Sequence, residues 1–316
     1  MRKYAIGIDI GGTNTCIGLI DEFGDCVAET SFKTAPFAKA DDFLVKVADE
    51  TQAIINDNAI EILGVGVGAP NANYYSGLIE FAPNLPWDGI IKIREFLSQK
   101  LDRKVIITND ANAAAIGERI YGGAKGLNDF LMITLGTGVG SGFVVNGALA
   151  YGHDGFAGEL GHTIIDPDGR KCACGRCGCL ETYCSATGVV RTIKSFLSES
   201  NEESILRNID LNKIEAKDLS LAAKQGDKLS IEIFDYTARL LGLSIANAVA
   251  ISSPSHVFLF GGLSSAGELL LTPLKKWTEH YMLNIFKNKV KIELSQLPNN
   301  KAALLGAAAL IFDDCK

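Results

Sequence analysis

Close to its start the chain carries Asp9-Ile10-Gly11-Gly12-Thr13-Asn14-Thr15, set between two apolar runs, Tyr4 to Ile8 and Cys16 to Ile20. Apolar runs joined by glycines read as a strand, a tight turn and a returning strand, and such a turn leaves backbone N–H groups to surround phosphate oxygens. Asp9 would stand at the end of the first strand, where a buried carboxylate is costly unless it is paired or bound to a metal. A hydrated Mg²⁺ meets that need. A second loop of the same style, Leu135-Gly136-Thr137-Gly138-Val139-Gly140-Ser141-Gly142, follows the apolar Phe130 to Ile133 and precedes Phe143 to Val145. Either loop alone is also an ordinary hairpin whose glycines supply positive φ. Neither has the Lys-Ser/Thr of a P-loop, and neither clearly opens a helix as the dinucleotide fingerprint does. Two such loops together with Asp9 imply two related halves that face one cleft and hold a nucleotide.

With 316 residues and 47% hydrophobic content the chain can bury a large core and should divide into two domains. A net charge of −7 argues against a nucleic-acid surface, which would need a basic face. ATP can still bind, because loop amides and Mg²⁺ supply local positive character. No apolar stretch approaches the roughly 20 residues of a membrane span. Met1-Arg2-Lys3 resembles the start of a signal peptide, but Asp9 interrupts the apolar region early, so the expected location is the cytoplasm.

Five of the eight cysteines crowd into Cys172 to Cys184, which reads as metal binding rather than disulfide bonding. The stretch Cys172-Ala173-Cys174-Gly175-Arg176-Cys177-Gly178-Cys179 offers several thiolates on a glycine-rich knuckle, with His162 ten residues upstream. Three thiolates and one imidazole make a closed tetrahedral zinc site. The expected set is His162, Cys172, Cys174 and Cys179. Cys177 is surplus to four ligands and could replace one of the others, so the sequence leaves open which three cysteines bind.

Helical spacing predicts a helix from about 40 to 56 and a long core helix through Ile233, Thr237, Leu240, Leu241, Ile245 and Val249. The run Ile62 to Val67 reads as a buried strand closing at Gly68-Ala69-Pro70. Val105 to Thr108 and Val257 to Phe260 read as strands ending at Asn109-Asp110 and at Gly261-Gly262. Polar residues dominate 199–228, read as short helices and surface loops. Asp110 precedes the Ala-rich stretch Ala111 to Glu118 and so sits at a strand-to-helix junction. It could simply cap that helix. At the carboxyl end of a parallel strand it could instead accept the proton of a substrate hydroxyl, as the catalytic Asp of protein kinases does.

The hairpin at Asp9 to Asp21, Asn109-Asp110-Ala111-Asn112-Ala113-Ala114, the loop at Leu135 to Gly142, Glu159-Leu160-Gly161-His162 and the cysteine knuckle followed by Leu180-Glu181 together resemble the ROK family of sugar kinases, within the actin, Hsp70 and hexokinase-like superfamily. The match runs essentially end to end, and the knuckle with Glu181 and His162 is its most specific part. The resemblance implies an α/β fold of two actin-like (ribonuclease H-like) ATPase domains with a cleft between them. It places residues 1–116 with 303–316 in a smaller domain and 117–302 in a larger one carrying the knuckle.

It also implies roles. Asp110 would be the general base for the sugar 6-hydroxyl and Asn109 a sugar ligand, while Asn84, Glu159, His162 and Glu181 would bind the remaining hydroxyls. His162 would then use one ring nitrogen for zinc and the other for sugar. Asp9, Gly11, Gly12, Thr13 and Asn14, with Gly136, Thr137 and Gly138, would hold Mg·ATP phosphates, and Gly261 and Gly262 would approach the adenosine. One departure stands out: where relatives commonly have Pro-Gly, this chain has Ala69-Pro70-Asn71 followed by Ala72-Asn73-Tyr74-Tyr75, so Asn71 and Asn73 are left out of the site.

The expected activity is ATP-dependent phosphorylation of a hexose, glucose first, with N-acetylglucosamine, N-acetylmannosamine, mannose, allose or fructose as alternatives. The expected assembly is a homodimer. The family also contains sugar-responsive repressors, but these carry an N-terminal helix-turn-helix domain, and here the phosphate hairpin begins within ten residues of Met1 on an acidic chain. A non-catalytic sugar sensor fits poorly with the retained Asp9 and Asp110. A chaperone or actin-like ATPase gives no account of the knuckle.

Overall fold

The structure, a computed structural model, describes residues 2–298 and 301–315. They form two compact units, each discontinuous in sequence. One runs up to Leu127 and adds Ala148–Ala157 and the chain from Gln296 onward; the other comprises Asn128–Gly147 and Gly158–Ser295. These limits differ from the 116 and 302 read from the sequence, because the helix that starts at Asp110 runs on to Tyr121 within the first unit.

The first unit contains β1 (Tyr4–Ile10), β2 (Asn14–Asp21), β3 (Cys26–Lys33), α1 (Ala40–Asn58), β4 (Val65–Gly68), the short pair β5 (Ile79–Glu80) and β6 (Ile90–Ile91), α2 (Ile93–Leu101), β7 (Val105–Thr108), α3 (Asp110–Tyr121), the two-residue β10 (Ala148–Leu149) and α9 (Ala302–Asp314). Its main sheet has the order β3-β2-β1-β4-β7. The predicted hairpin forms between β1 and β2, and β1, β4 and β7 run parallel. The parallel strands β4 and β7 are buried throughout, β7 although it ends the sheet, as continuous apolar runs require. The edge strand β3 alternates half-buried and exposed residues.

Helix α9 is apolar on nearly all sides because it lies inside the unit, on β1 and β4 and across α3. Glycines make that contact close: a Cβ on Gly66 would overlap the Ala307 carbonyl, and Gly117 meets the backbone of Gly306.

The second unit contains β8 (Phe130–Leu135), β9 (Val139–Val145), α4 (Glu181–Cys184), α5 (Ala186–Glu199), α6 (Ala216–Lys224), α7 (Lys228–Ser252), β11 (His256–Phe260), α8 (Glu268–Tyr281) and β12 (Lys291–Leu294). Its strands follow in the order β9-β8-β11-β12, again an antiparallel hairpin extended by parallel strands. The core packs this sheet against α5, α6, α7 and α8. The predicted long helix is α7, and the predicted helix near 40–56 is α1. No helix among the described residues is long and apolar enough to cross a membrane.

Candidate active site

In the first unit the parallel ladder sets Asp9 opposite Gly68 and Gly68 opposite Thr108, so three strand ends lie level. The chain turns from β7 into α3 at Asn109, whose side chain accepts the Asn112 N–H at 2.7 Å. Capping therefore belongs to Asn109 and not to Asp110, and the Asn109 amide NH₂ is the group left to donate to a ligand. Asp110 is the first helical residue. One of its oxygens accepts the Ala111 N–H at 2.9 Å, and the side chain is open to solvent. Protein crowded around it raises its carboxyl above the ordinary range, opposed by backbone hydrogen bonds. Asp9 is pushed up to about 6, first by burial and then by the charge of Asp110. A buried carboxylate raised further by its neighbour's charge marks a site whose charge a divalent cation would neutralise.

The glycine turn beside them is closed by Gly11 N–H donating to the Asn14 carbonyl at 2.9 Å. Thr13 and Asn14 are exposed. Gly12 packs so closely on the Asn84 carbonyl that a Cβ would overlap it. Leu85 and Trp87 bury themselves on either side of Pro86, and the Trp87 indole donates to the Phe37 carbonyl at 2.8 Å. That anchoring leaves Asn84 exposed next to the phosphate turn. Asn71 and Asn73 are spent inside their own region. The Asn71 amide donates to the Glu80 and Phe81 carbonyls, and Asn73 accepts from Tyr75 and Ser76 while donating to the Asp154 carbonyl at 2.7 Å. Tyr74 stacks on Tyr151 with ring centroids 4.0 Å apart.

In the second unit the ligand atoms of His162, Cys172, Cys174 and Cys179 all lie within 4.8 Å of one another. Cys172 Sγ is 3.7 Å from His162 Nδ1, and Cys174 Sγ is 3.6 Å from Cys179 Sγ. A tetrahedral zinc with bonds near 2.3 Å separates its ligands by about 3.8 Å, so the donor set fits that ion in number, type and spacing. Cys177 is not part of the group; it pairs with Lys171 across the knuckle. Burial pushes the Cys172 and Cys179 thiols up, Cys179 to about 12, whereas the Arg176 N–H draws Cys174 down to about 6. With Nδ1 turned to the sulfurs, the opposite ring nitrogen of His162 is available elsewhere. Glu159 is exposed and begins the turn that carries His162, its carbonyl accepting the His162 N–H at 3.1 Å. Glu181 opens α4, and its Oε2 accepts the Val139 N–H at 3.0 Å.

The same unit holds a cavity of about 880 Å³ with Gly136, Thr137 and Gly262 in its wall. That volume lies within the range of small-molecule sites. Gly261 instead packs on Leu135, where a Cβ would crowd the backbone. The sequence reading missed most of the cavity wall: Thr187 and Val190 from α5, and Ile214, Ser220 and Leu221 around α6. No clear signal marked them, since Ile214 and Leu221 are two among several apolar residues in a largely polar stretch. Gly138 lies against the Glu181 carboxylate, where a side chain would collide with Oε2.

The model of the ROK family matches residues 5–314. The chain belongs to the ROK family. Among its relatives, a glucokinase of Thermotoga maritima is 33% identical over 97% of this chain and 96% of its own length. A xylose repressor of Caldicellulosiruptor bescii is 32% identical over 80% of this chain and 63% of its own. Among solved structures, a ROK family glucokinase from Streptomyces griseus in complex with glucose and AMPPNP superposes with a TM-score of 0.80 at 33% identity, covering 97% of this chain and 98% of that one. Both units thus have the actin-like ATPase fold expected of a ROK protein.

Proposed function

We propose that the protein is an ATP-dependent hexose kinase that phosphorylates the 6-hydroxyl of glucose. The observation that carries this reading is the β7–α3 junction, where Asn109 takes over capping and leaves the Asp110 carboxylate open beside Asp9. Relatives spanning nearly the whole chain support it, since the Thermotoga protein is a glucokinase and the Streptomyces one was captured with glucose and AMPPNP. Bound Mg·ATP supplies the electrophilic γ-phosphorus, with the metal fitting the charge of Asp9. Asp110 accepts the proton of the sugar hydroxyl as that oxygen attacks. Asn109 donates its amide to a hydroxyl, and Asn84, Glu159, His162 and Glu181 hold the others. His162 Nδ1 and the three cysteines would hold a zinc ion, which would orient the imidazole so that the ring presents its other nitrogen to the sugar. Gly12 and Thr13, with Thr137 and Gly138, hold phosphates through backbone amides, while Gly11, Asn14 and Gly136 shape the two turns, the Gly11 and Gly136 N–H groups donating to the Asn14 and Gly138 carbonyls. The cavity beside Gly262 takes the adenosine.

Family resemblance adds a homodimer, and the early Asp9 a cytoplasmic location, which gel filtration with light scattering and cell fractionation would check. The decisive experiment is ADP release from a panel of sugars, by the native protein and by Asp110→Ala. Glucose should give the highest kcat/KM. The variant should lose at least about a thousandfold in kcat while still binding glucose measurably. Near-normal turnover would remove Asp110 from the mechanism. A native protein that binds sugar without releasing ADP would be a regulator.

A further inference from the structure

Glu181 stands between the cysteine knuckle and the second glycine loop and touches both. Its Oε1 lies 3.9 Å from Cys172 Sγ, and Cys172 in turn faces His162 Nδ1 at 3.7 Å. Its Oε2 accepts the Val139 N–H at 3.0 Å and lies against Gly138. The other side of the same Val139 residue is also gripped. Its carbonyl packs on Gly161, in the turn that delivers His162, so closely that a Cβ on Gly161 would overlap it.

The turn that follows Glu181 completes the hold on the loop. Ser185 donates its hydroxyl to the Glu181 carbonyl at 2.7 Å, Ala186 N–H donates to the Gly136 carbonyl at 2.8 Å, and the Thr187 hydroxyl donates to the Thr137 carbonyl at 3.1 Å. Loop carbonyls are thereby tied to the protein, as an anion-binding loop requires if its amides are to be presented to phosphate.

We propose that Glu181 is a positioning residue that links the metal knuckle to the nucleotide loop, so that metal occupancy and nucleotide affinity form one coupled equilibrium. The proposal rests on the kinase reading, and it goes beyond holding a sugar hydroxyl. An ion that fixes His162 fixes the turn whose Gly161 packs on the Val139 carbonyl, and one that holds Cys172 as a thiolate sets the charge beside Glu181 Oε1; both act on Val139, which in turn shapes Gly136, Thr137 and Gly138. Thermodynamic linkage makes the effect reciprocal: a nucleotide that prefers the clamped loop must tighten metal binding by the same factor.

The test uses the full chain loaded with one zinc per molecule and no sugar. Metal transfer to the chromophoric chelator 4-(2-pyridylazo)resorcinol is followed with and without AMPPNP and Mg²⁺, and AMPPNP affinity is measured on zinc-loaded and stripped protein. AMPPNP should lower the extent of transfer at equilibrium by about fivefold or more, and stripping should weaken AMPPNP by the same factor. Glu181→Ala should retain zinc and shrink both effects toward unity. Should that variant fail to hold zinc, Glu181→Gln keeps an oxygen for the Val139 N–H, removes the charge beside Cys172, and should show a reduced coupling factor. Zinc transfer unaffected by AMPPNP, in native protein that demonstrably binds both, would overturn the coupling and leave the kinase reading standing. Native protein that binds no zinc would likewise overturn the coupling, whereas native protein that binds no AMPPNP would overturn the kinase reading instead.

Discussion

Burial, with the charge of Asp110 adding to it, holds the Asp9 carboxyl at about 6. That value lies above the ordinary aspartate value of about 3.9, so the folded chain binds a proton that the unfolded chain releases. The associated stability is full below pH about 4 and is lost as pH rises through about 6. At pH 7.5, without a bound cation, the ionised side chain therefore costs about 1–3 kcal/mol. Asp9→Asn should raise the melting temperature of the ligand-free protein by a few degrees at pH 7.5 and leave it unchanged at pH 4. Mg·AMPPNP should raise the melting temperature of the native protein, and the same variant should lose that increase. Both comparisons can be read from one set of calorimetric scans. At this scale residue chemistry was largely legible in the sequence, because a glycine turn after an acid and a cluster of thiols declare themselves by adjacency. Which of two adjacent residues caps α3 was not legible, since Asn109 and Asp110 are both good caps and only the backbone geometry assigns the Asn112 N–H to Asn109.

Among elements, α9 and the strands beneath it depend on missing side chains. A methyl group at Gly66 must displace the Ala307 carbonyl, and Gly117 and Gly306 set how closely α3 and α9 cross. Gly66→Ala should destabilise the protein by about 1–3 kcal/mol, the usual cost of overpacking a filled core, seen as a lower urea midpoint. The elements of strong periodicity, α1, α7 and the β1–β2 hairpin, were read correctly from the chain. Helix α6 was not. Its cap is a reciprocal pair, with Glu215 N–H donating to Asp218 Oδ2 at 2.8 Å, rather than the Ser, Thr, Asp or Asn that usually marks a helix start. The cavity wall it supplies was therefore read as surface, because an exposed apolar Leu221 lining a cavity looks in sequence like any exposed apolar residue.

Taken as a whole, the molecule should lose order locally when the metal is removed. Structural zinc contributes on the order of 10 kcal/mol of apparent folding free energy at such sites, so chelation should raise amide hydrogen exchange across residues 160–187. Exchange in β1, β4 and β7 should stay as it was, and glucose affinity should fall. Uniform exchange before and after chelation, or purified protein with no zinc by metal analysis, would end the metal reading. The chain's family, its paired hairpins and its chemical inventory were determined by the sequence alone, because motif spacing and hydrophobic period are properties of neighbours along the chain. Only the tertiary structure decided that Cys177 stands outside the ligand group, that Asp9 feels the charge of Asp110, and that Glu181 bridges the knuckle and the loop. Each of those facts joins residues brought together by strand register and helix packing, which no local pattern encodes.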